Sequence, residues 1–229
     1  SLDKFKDECG VFGVYSNSPM DVAGMTYYGL YALQHRGQES AGIAVGNGEE
    51  LDIHKGLGLI TEAFTKDDLN RLKGHIAIGH VRYSTTGSTK VENAQPLLAS
   101  SKLGPIAMAH NGNLVNADVI RDLLEDGGHV FHTTIDSEVI ATLIARGAKR
   151  GIERAVVDAI QAVRGSFAMV IATKDKLIGA RDPHGIRPLC IGKVDDAYVM
   201  SSESCALDAV GAEFVRDVEP GEVVVIDEN

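Results

Sequence analysis

Cys9-Gly10-Val11-Phe12-Gly13-Val14-Tyr15 is a single cysteine opening a run of small and apolar residues, and it reads as a strand that stops at the turn-forming Ser16-Asn17-Ser18-Pro19. Only Ser1–Glu8, mostly charged, stands before it. On its own, Cys9 reads first as a small apolar residue at a strand start, since free cysteine is commonly buried. Its place near the N-terminus opens a second reading. If the leader were cut away, the sulfur would lie beside a free α-amine. Such an amine titrates at about 7.7–8.0, near the pH where a general base works best. A nucleophile served by its own N-terminal amine is one solution to amide chemistry.

Composition narrows the field. With 229 residues and 44% hydrophobic content, the chain suits one large domain with a real core. A net charge of −10 argues against a nucleic-acid surface, which needs patches of Lys and Arg. No apolar run is long enough to span a bilayer, and Ser1–Glu8 lacks the apolar core of a signal peptide. The three cysteines, Cys9, Cys190 and Cys205, form no C-x-x-C pair. So sparse and odd a set fits a reducing cytoplasmic setting better than a secreted disulfide scaffold. The His129-x-x-His132 pair reads as ordinary loop rather than a metal site.

Hydrophobic patterning predicts helices over 21–35, 66–72, 117–125, 136–146, 152–163 and 203–210, and strands over 10–15, 43–45, 51–54, 76–83, 105–110, 166–172, 176–180, 189–191, 197–201 and 222–226. Strands come first, helices sit in the middle, and strands return. That order lacks strict βαβ alternation and indicates an α+β fold with largely antiparallel sheets and helices layered outside. No linker divides the chain, so 9–229 reads as one domain.

Four polar clusters punctuate this pattern. Gln34-His35-Arg36-Gly37-Gln38 closes the first helix as a basic, glycine-stopped C-terminus would. His80-Val81-Arg82-Tyr83-Ser84-Thr85-Thr86 ends an apolar strand; Arg82 there could present its planar fork to a carboxylate, with Thr85 and its neighbours adding hydroxyls. His110-Asn111-Gly112-Asn113 reads most simply as a type I′ hairpin turn. It also reads as an oxyanion hole, with the Asn111 side chain and the next backbone N–H converging on one oxygen. Thr133-Thr134-Ile135-Asp136-Ser137-Glu138 begins a helix. Thr or Asp as N-cap explains it, and so does Asp136 pairing with a ligand ammonium group. Together with Cys9, the set supplies a thiol, a latent amine base, an oxyanion hole, a carboxylate clamp and an ammonium partner. That combination suits hydrolysis of the side-chain amide of an α-amino acid, and glutamine fits best.

The same motifs, in this order, resemble the class II glutamine amidotransferases, which are N-terminal-nucleophile hydrolases. The later stretch Ala180-Arg181-Asp182-Pro183-His184-Gly185-Ile186-Arg187-Pro188-Leu189, with Ser201-Ser202-Glu203-Ser204-Cys205-Ala206-Leu207, resembles their amidophosphoribosyltransferase branch. The resemblance implies a four-layer αββα sandwich. It also implies roles for matching positions. Cys9 attacks the glutamine δ-carbonyl and forms a γ-glutamyl thioester. Asn111 and the Gly112 backbone hold the oxyanion. Arg82 binds the α-carboxylate, Asp136 with help around Thr85 binds the α-ammonium, and Arg36 supports the nucleophile end of the pocket.

Two departures from that family accompany the match. Cys9 is preceded by eight residues, so residues 1–8 are expected to be a propeptide. The phosphoribosyltransferase half is missing from the chain, and the last apolar run, Val223–Ile226, is expected to be a strand of the glutaminase sandwich. No cofactor or metal is expected in this chain. Mg2+, and in some family members an iron–sulfur cluster, go with the missing half. The expected partners are glutamine, that phosphoribosyltransferase domain and, at full length, further copies in a homo-oligomer, with no nucleic acid and no membrane. The alternatives are the glutaminase domain of another class II amidotransferase, such as glucosamine-6-phosphate synthase, or a non-catalytic glutamine-binding module.

Overall fold

The structure, a computed structural model, describes residues 9–34, 38–83 and 90–229. Among these the strands are β1 (Gly10–Ser16), β2 (Gln38–Gly46), β3 (Leu51–Leu57), β4 (Ile76–Tyr83), β5 (Leu97–Ser101), β6 (Gly104–Leu114), β7 (Gly165–Ala172), β8 (Leu177–Arg181), β9 (Cys190–Val194), β10 (Ala197–Ser201), β11 (Glu213–Asp217) and β12 (Val223–Ile226). The helices are α1 (Val22–Leu33), α2 (Ile60–Ala63), α3 (Lys66–Arg71), α4 (Ala117–Asp126), α5 (Asp136–Gly147), α6 (Ile152–Ala162) and α7 (Ser204–Ala209).

The strands form two sheets. One has seven strands in the order β11-β9-β10-β1-β4-β2-β3, and the other has five in the order β12-β8-β7-β6-β5. The pairings in both are antiparallel. β1 lies at the centre of the larger sheet, between β10 and β4.

Side-chain alternation along the strands sorts the apolar residues into three cores. Phe12, Val14, Ala77 and Val81 pack with Val22, Leu30 and Leu33 of α1 and with Ala206 and Leu207 of α7. Val11, Tyr15, Ile76 and Ile78 turn the other way, onto Ala107, Ala109, Ala168 and Val170 of the smaller sheet. Ile106, Met108, Phe167 and Met169, on the far face of that sheet, pack under Ile140, Ile144, Val156 and Ile160 of α5 and α6. The layers are therefore helix, sheet, sheet, helix: the four-layer αββα arrangement expected. On the inner face of the smaller sheet Ala107, Ala109, Ala168 and Ala172 keep the side chains short, which lets the two buried sheet faces lie close together.

The predicted elements recur with changes at their ends. α1 is capped by Asp21, whose Oδ1 accepts the Gly24 N–H at 2.9 Å. It stops at Leu33 rather than running to His35, and Gln34 turns into extended backbone. β5, β11 and the short α2 lack a strong periodic signal. β11 is fully exposed along its length, so burial imposes no alternation on it. β12 pairs with β8, as expected for a last strand of the sandwich.

Candidate active site

Cys9 immediately precedes β1. In the β1–β4 ladder Gly10 faces Val81, so the next step outward sets Cys9 beside Arg82. Arg82 in turn faces Ser40 on β2. On the other flank, Val11 is held by Ser202, which follows β10. The Val11 N–H donates to Ser202 Oγ at 3.1 Å, and the Ser202 N–H donates to the Val11 carbonyl at 3.1 Å. The start of β1 is thus pinned on both sides. Alternation from Val11 and Ile78 turns Cys9 and Arg82 toward the second sheet.

Asn111 and Gly112 differ from the hairpin reading. They do not form a turn: β6 runs straight through them to Leu114, with Asn111 facing Ala168 and Gly112 facing Phe167 on β7. The Asn-Gly signal was overridden because β7 supplies a full ladder along this stretch. Gly112 nonetheless needs to be glycine. Its φ is +141°, and an added Cβ would lie 2.0 Å from the Ser166 carbonyl oxygen. Asn111 is buried on the inter-sheet face, and its Oδ1 has no hydrogen-bond partner among the described residues.

The end of β6 lies beside the start of α5, where the Leu114 backbone meets the Asp136 carboxyl. Asp136 is the first residue of α5 and not its cap; Ile135 takes that position without a side-chain bond. Glu138 instead reaches back, accepting from the His132 N–H at 2.8 Å, the Thr133 N–H at 2.7 Å and Thr133 Oγ1 at 2.6 Å. Asp136 is therefore spared a capping role. Its carboxyl is pushed above the ordinary value by burial and by Asp118, while a hydrogen bond from the Leu114 backbone and the Arg121 charge pull it down.

The ends of the two sheets coincide. Gly13 of β1 lies against Leu177, which pairs with Ala172, itself opposite Ala107 of β6. Four residues along from Gly13 is Cys9, and four along from Ala107 is Asn111. The sandwich thus brings Cys9, Arg82, Asn111, Gly112 and Asp136 to one end. Arg36, Thr85 and the proposed leader 1–8 lie outside the described residues.

Several neighbours went unassigned at the sequence level. His80 and His110 are buried, and both are neutral at ordinary pH. Burial is the larger cause in each. It pushes His80 to about 3, with the charges of His110 and Arg82 adding to the effect and the proximity of the His110 backbone opposing it. It pushes His110 to about 4, with Arg187 adding. The His110 N–H donates to Gln95 Oε1 at 2.7 Å, and its Nδ1 lies 3.3 Å from Ser137 Oγ on α5. Asp182 is fully buried and accepts backbone N–H groups from Phe167 (3.2 Å), His184 (3.0 Å), Ile186 (3.2 Å) and Arg187 (3.2 Å). Arg181 donates to the carbonyls of Arg187, Val218 and Gly185. The Arg181–Pro188 stretch is therefore a self-bonded loop behind Phe167, the ladder partner of Gly112. A polar residue inside an apolar strand, as at His80, was the available signal for such groups.

Elsewhere, His129 lies 3.3 Å from Thr142 Oγ1. Among the described residues no group of three or more His, Cys, Asp or Glu could hold a metal ion. None of the three cysteines is in a disulfide. No helix among the described residues is long and apolar enough to cross a membrane.

The chain is similar to known proteins over nearly its whole length. The chain is 48% identical over 220 residues to an amidophosphoribosyltransferase of Methanocaldococcus jannaschii, covering 95% of this chain and 47% of that protein. A solved structure described as the allosteric regulatory enzyme of purine biosynthesis superposes with a TM-score of 0.91 at 48% identity, over 96% of this chain and 47% of that one. A glutamine phosphoribosylpyrophosphate amidotransferase from B. subtilis superposes with a TM-score of 0.89 at 48% identity, over 96% and 47%. The chain spans about half the length of the curated relatives it matches. The family model for a glutamine amidotransferase domain matches residues 80–209, more than half of the chain, including Arg82, Asn111, Gly112 and Asp136. By its sandwich, its motif order and that match, the chain belongs to the family of glutamine amidotransferase domains.

Proposed function

We propose that this chain hydrolyses the side-chain amide of glutamine and passes the ammonia to a phosphoribosyltransferase partner domain, where it displaces pyrophosphate from 5-phosphoribosyl pyrophosphate to give 5-phosphoribosylamine for purine synthesis. One observation carries the first step: Cys9, Arg82, Asn111–Gly112 and Asp136 share one end of the sandwich. The names of the relatives support the second.

In this reading the Glu8–Cys9 peptide bond is cleaved and the Cys9 α-amine takes the thiol proton. The sulfur adds to the glutamine δ-carbonyl carbon. The resulting oxyanion is held by the Asn111 side-chain NH2 and the Gly112 N–H. Collapse breaks the C–N bond, and the amine delivers its proton to the departing ammonia. Water then cleaves the thioester, releasing glutamate and restoring the thiol. Arg82 holds the substrate α-carboxylate as a fork. Asp136 faces the α-ammonium, whose positive charge would draw its raised carboxyl back down. The family resemblance gives Arg36 a supporting role at the nucleophile end and Thr85 a part in holding the α-ammonium. Mg2+ and any iron–sulfur cluster belong to the partner half, a homo-oligomer is the full-length state, and the cytoplasm is the compartment.

The test is ammonia release from glutamine by the chain made to start at Cys9. Cys9→Ser is expected to abolish the release. Equal release by the serine variant would refute the nucleophile assignment.

A further inference from the structure

His80 sits one step further along the inter-sheet face of β4 than Arg82, between Val11 of β1 and Gly42 of β2. At Gly42 an added Cβ would lie 2.1 Å from the Gln95 carbonyl oxygen. The Gln95 backbone therefore packs directly on the sheet beside His80, while its side chain grips the His110 N–H. This brings His80 against the β6 backbone at His110, the residue before Asn111. His80 is 0% exposed and Asn111 is 5% exposed. Neither ring nitrogen of His80, nor Asn111 Oδ1, completes a hydrogen bond among the described residues. Buried polar atoms in folded proteins are nearly always paired.

An asparagine amide has a fixed polarity. For its NH2 to face an oxyanion, its Oδ1 must point the opposite way and accept a hydrogen bond. A neutral imidazole carries one N–H donor. We propose that His80 is a positioning residue for Asn111: its ring N–H, directly or through one water, holds Oδ1 and so aims the amide NH2 at the oxyanion. The inference rests on the oxyanion role of Asn111 proposed above. Burial keeps the ring neutral, so it offers a donor without setting a second cation beside Arg82. The competing acceptor is the His110 carbonyl, and a His80 that served that group alone would be structural.

Glutaminase kinetics on the whole protein separate the two roles through a double-mutant cycle of His80→Phe and Asn111→Ala. Loss of one oxyanion donor typically costs about 10²–10³ in kcat. His80→Phe, which misaims that donor, is expected to lower kcat by roughly tenfold or more with KM for glutamine little changed. In the Asn111→Ala background it is expected to have no further effect. His80→Gln, which keeps a donor, is expected to recover most of the rate. Equal loss in both backgrounds, or loss of kcat together with a matching rise in KM, overturns the proposal and leaves the oxyanion reading standing. An Asn111→Ala variant with unchanged kcat overturns the oxyanion reading and the proposal with it. Independently of turnover, the Asn111 side-chain amide signals in the 15N NMR spectrum are expected to shift in His80→Gln; unmoved signals overturn the proposal even where His80→Phe does not fold.

Discussion

Arg82 owes its position to one ladder step. Val81 is committed to the α1 core, so its neighbour on β4 must face the second sheet, at the level of Cys9. An arginine there offers two parallel donors to a carboxylate, and charged hydrogen bonds of this kind contribute about 1.5–3 kcal/mol. Arg82→Ala is expected to raise KM for glutamine by roughly tenfold to a hundredfold, the range those energies correspond to, while leaving kcat within a few fold. Steady-state ammonia release measures both. A fall in kcat alone would show that Arg82 acts on the chemical step rather than on binding.

At the level of elements, the Asp182 loop is the most densely tied feature near the site. Its carboxylate gathers four backbone N–H groups, one of them from Phe167 on β7. Phe167 is the ladder partner of Gly112. Asp182→Ala would strip the acceptor from the buried Phe167 N–H and from three part-buried loop N–H groups, at an expected cost of about 3 kcal/mol. For a chain of this size that corresponds to a fall in melting temperature of roughly 6–12 °C, readable by calorimetry. A melting temperature within a degree of the parent would mean that water replaces the carboxylate and the loop is not a structural clamp.

Across the whole molecule, His80 and His110 set an acid limit above the carboxylate range. Their folded values, about 3 and about 4, lie below the ordinary 6.5. Above pH 6.5 both are neutral, folded or unfolded, and their contribution is fully present. As pH falls from 6.5 toward 4 the unfolded chain binds protons that the native state refuses, so stability falls by up to about 1.4 kcal/mol per pH unit for each histidine. Below about 3 the native state protonates as well and this slope ends. Urea unfolding at pH 7.5, 6 and 5 is expected to show that decline, flattened in His110→Gln. Constant stability from pH 7.5 to 5 would mean that the two rings are hydrated in the native state.

The sequence by itself determined the elements with strong periodicity and the chemistry they could carry. Gly10–Tyr15, Ile76–Tyr83 and Ser166–Ala172 have buried faces that only one pattern of residues satisfies, and the amphipathic α5 and α6 repeat every three to four residues for the same reason. Cys9, Arg82, Asn111 and Asp136 stood out because each interrupts such a pattern at an element's end. Tertiary structure decided the rest. Asn111-Gly112 carries a hairpin's local preference, yet β7 pairs with it and keeps it in a strand. Ile135 rather than Thr133 or Asp136 takes the cap position of α5, while Glu138 reaches back to the His132 and Thr133 N–H groups. Gln95 and Asp182 look ordinary in the chain, and His80 and His110, visible as polar residues in apolar strands, acquire a role only through what packs against them. Local preferences amount to about 1 kcal/mol per residue, whereas a full ladder partner or a buried polar group without one shifts the balance by more, so long-range contacts settled the places where the two disagreed.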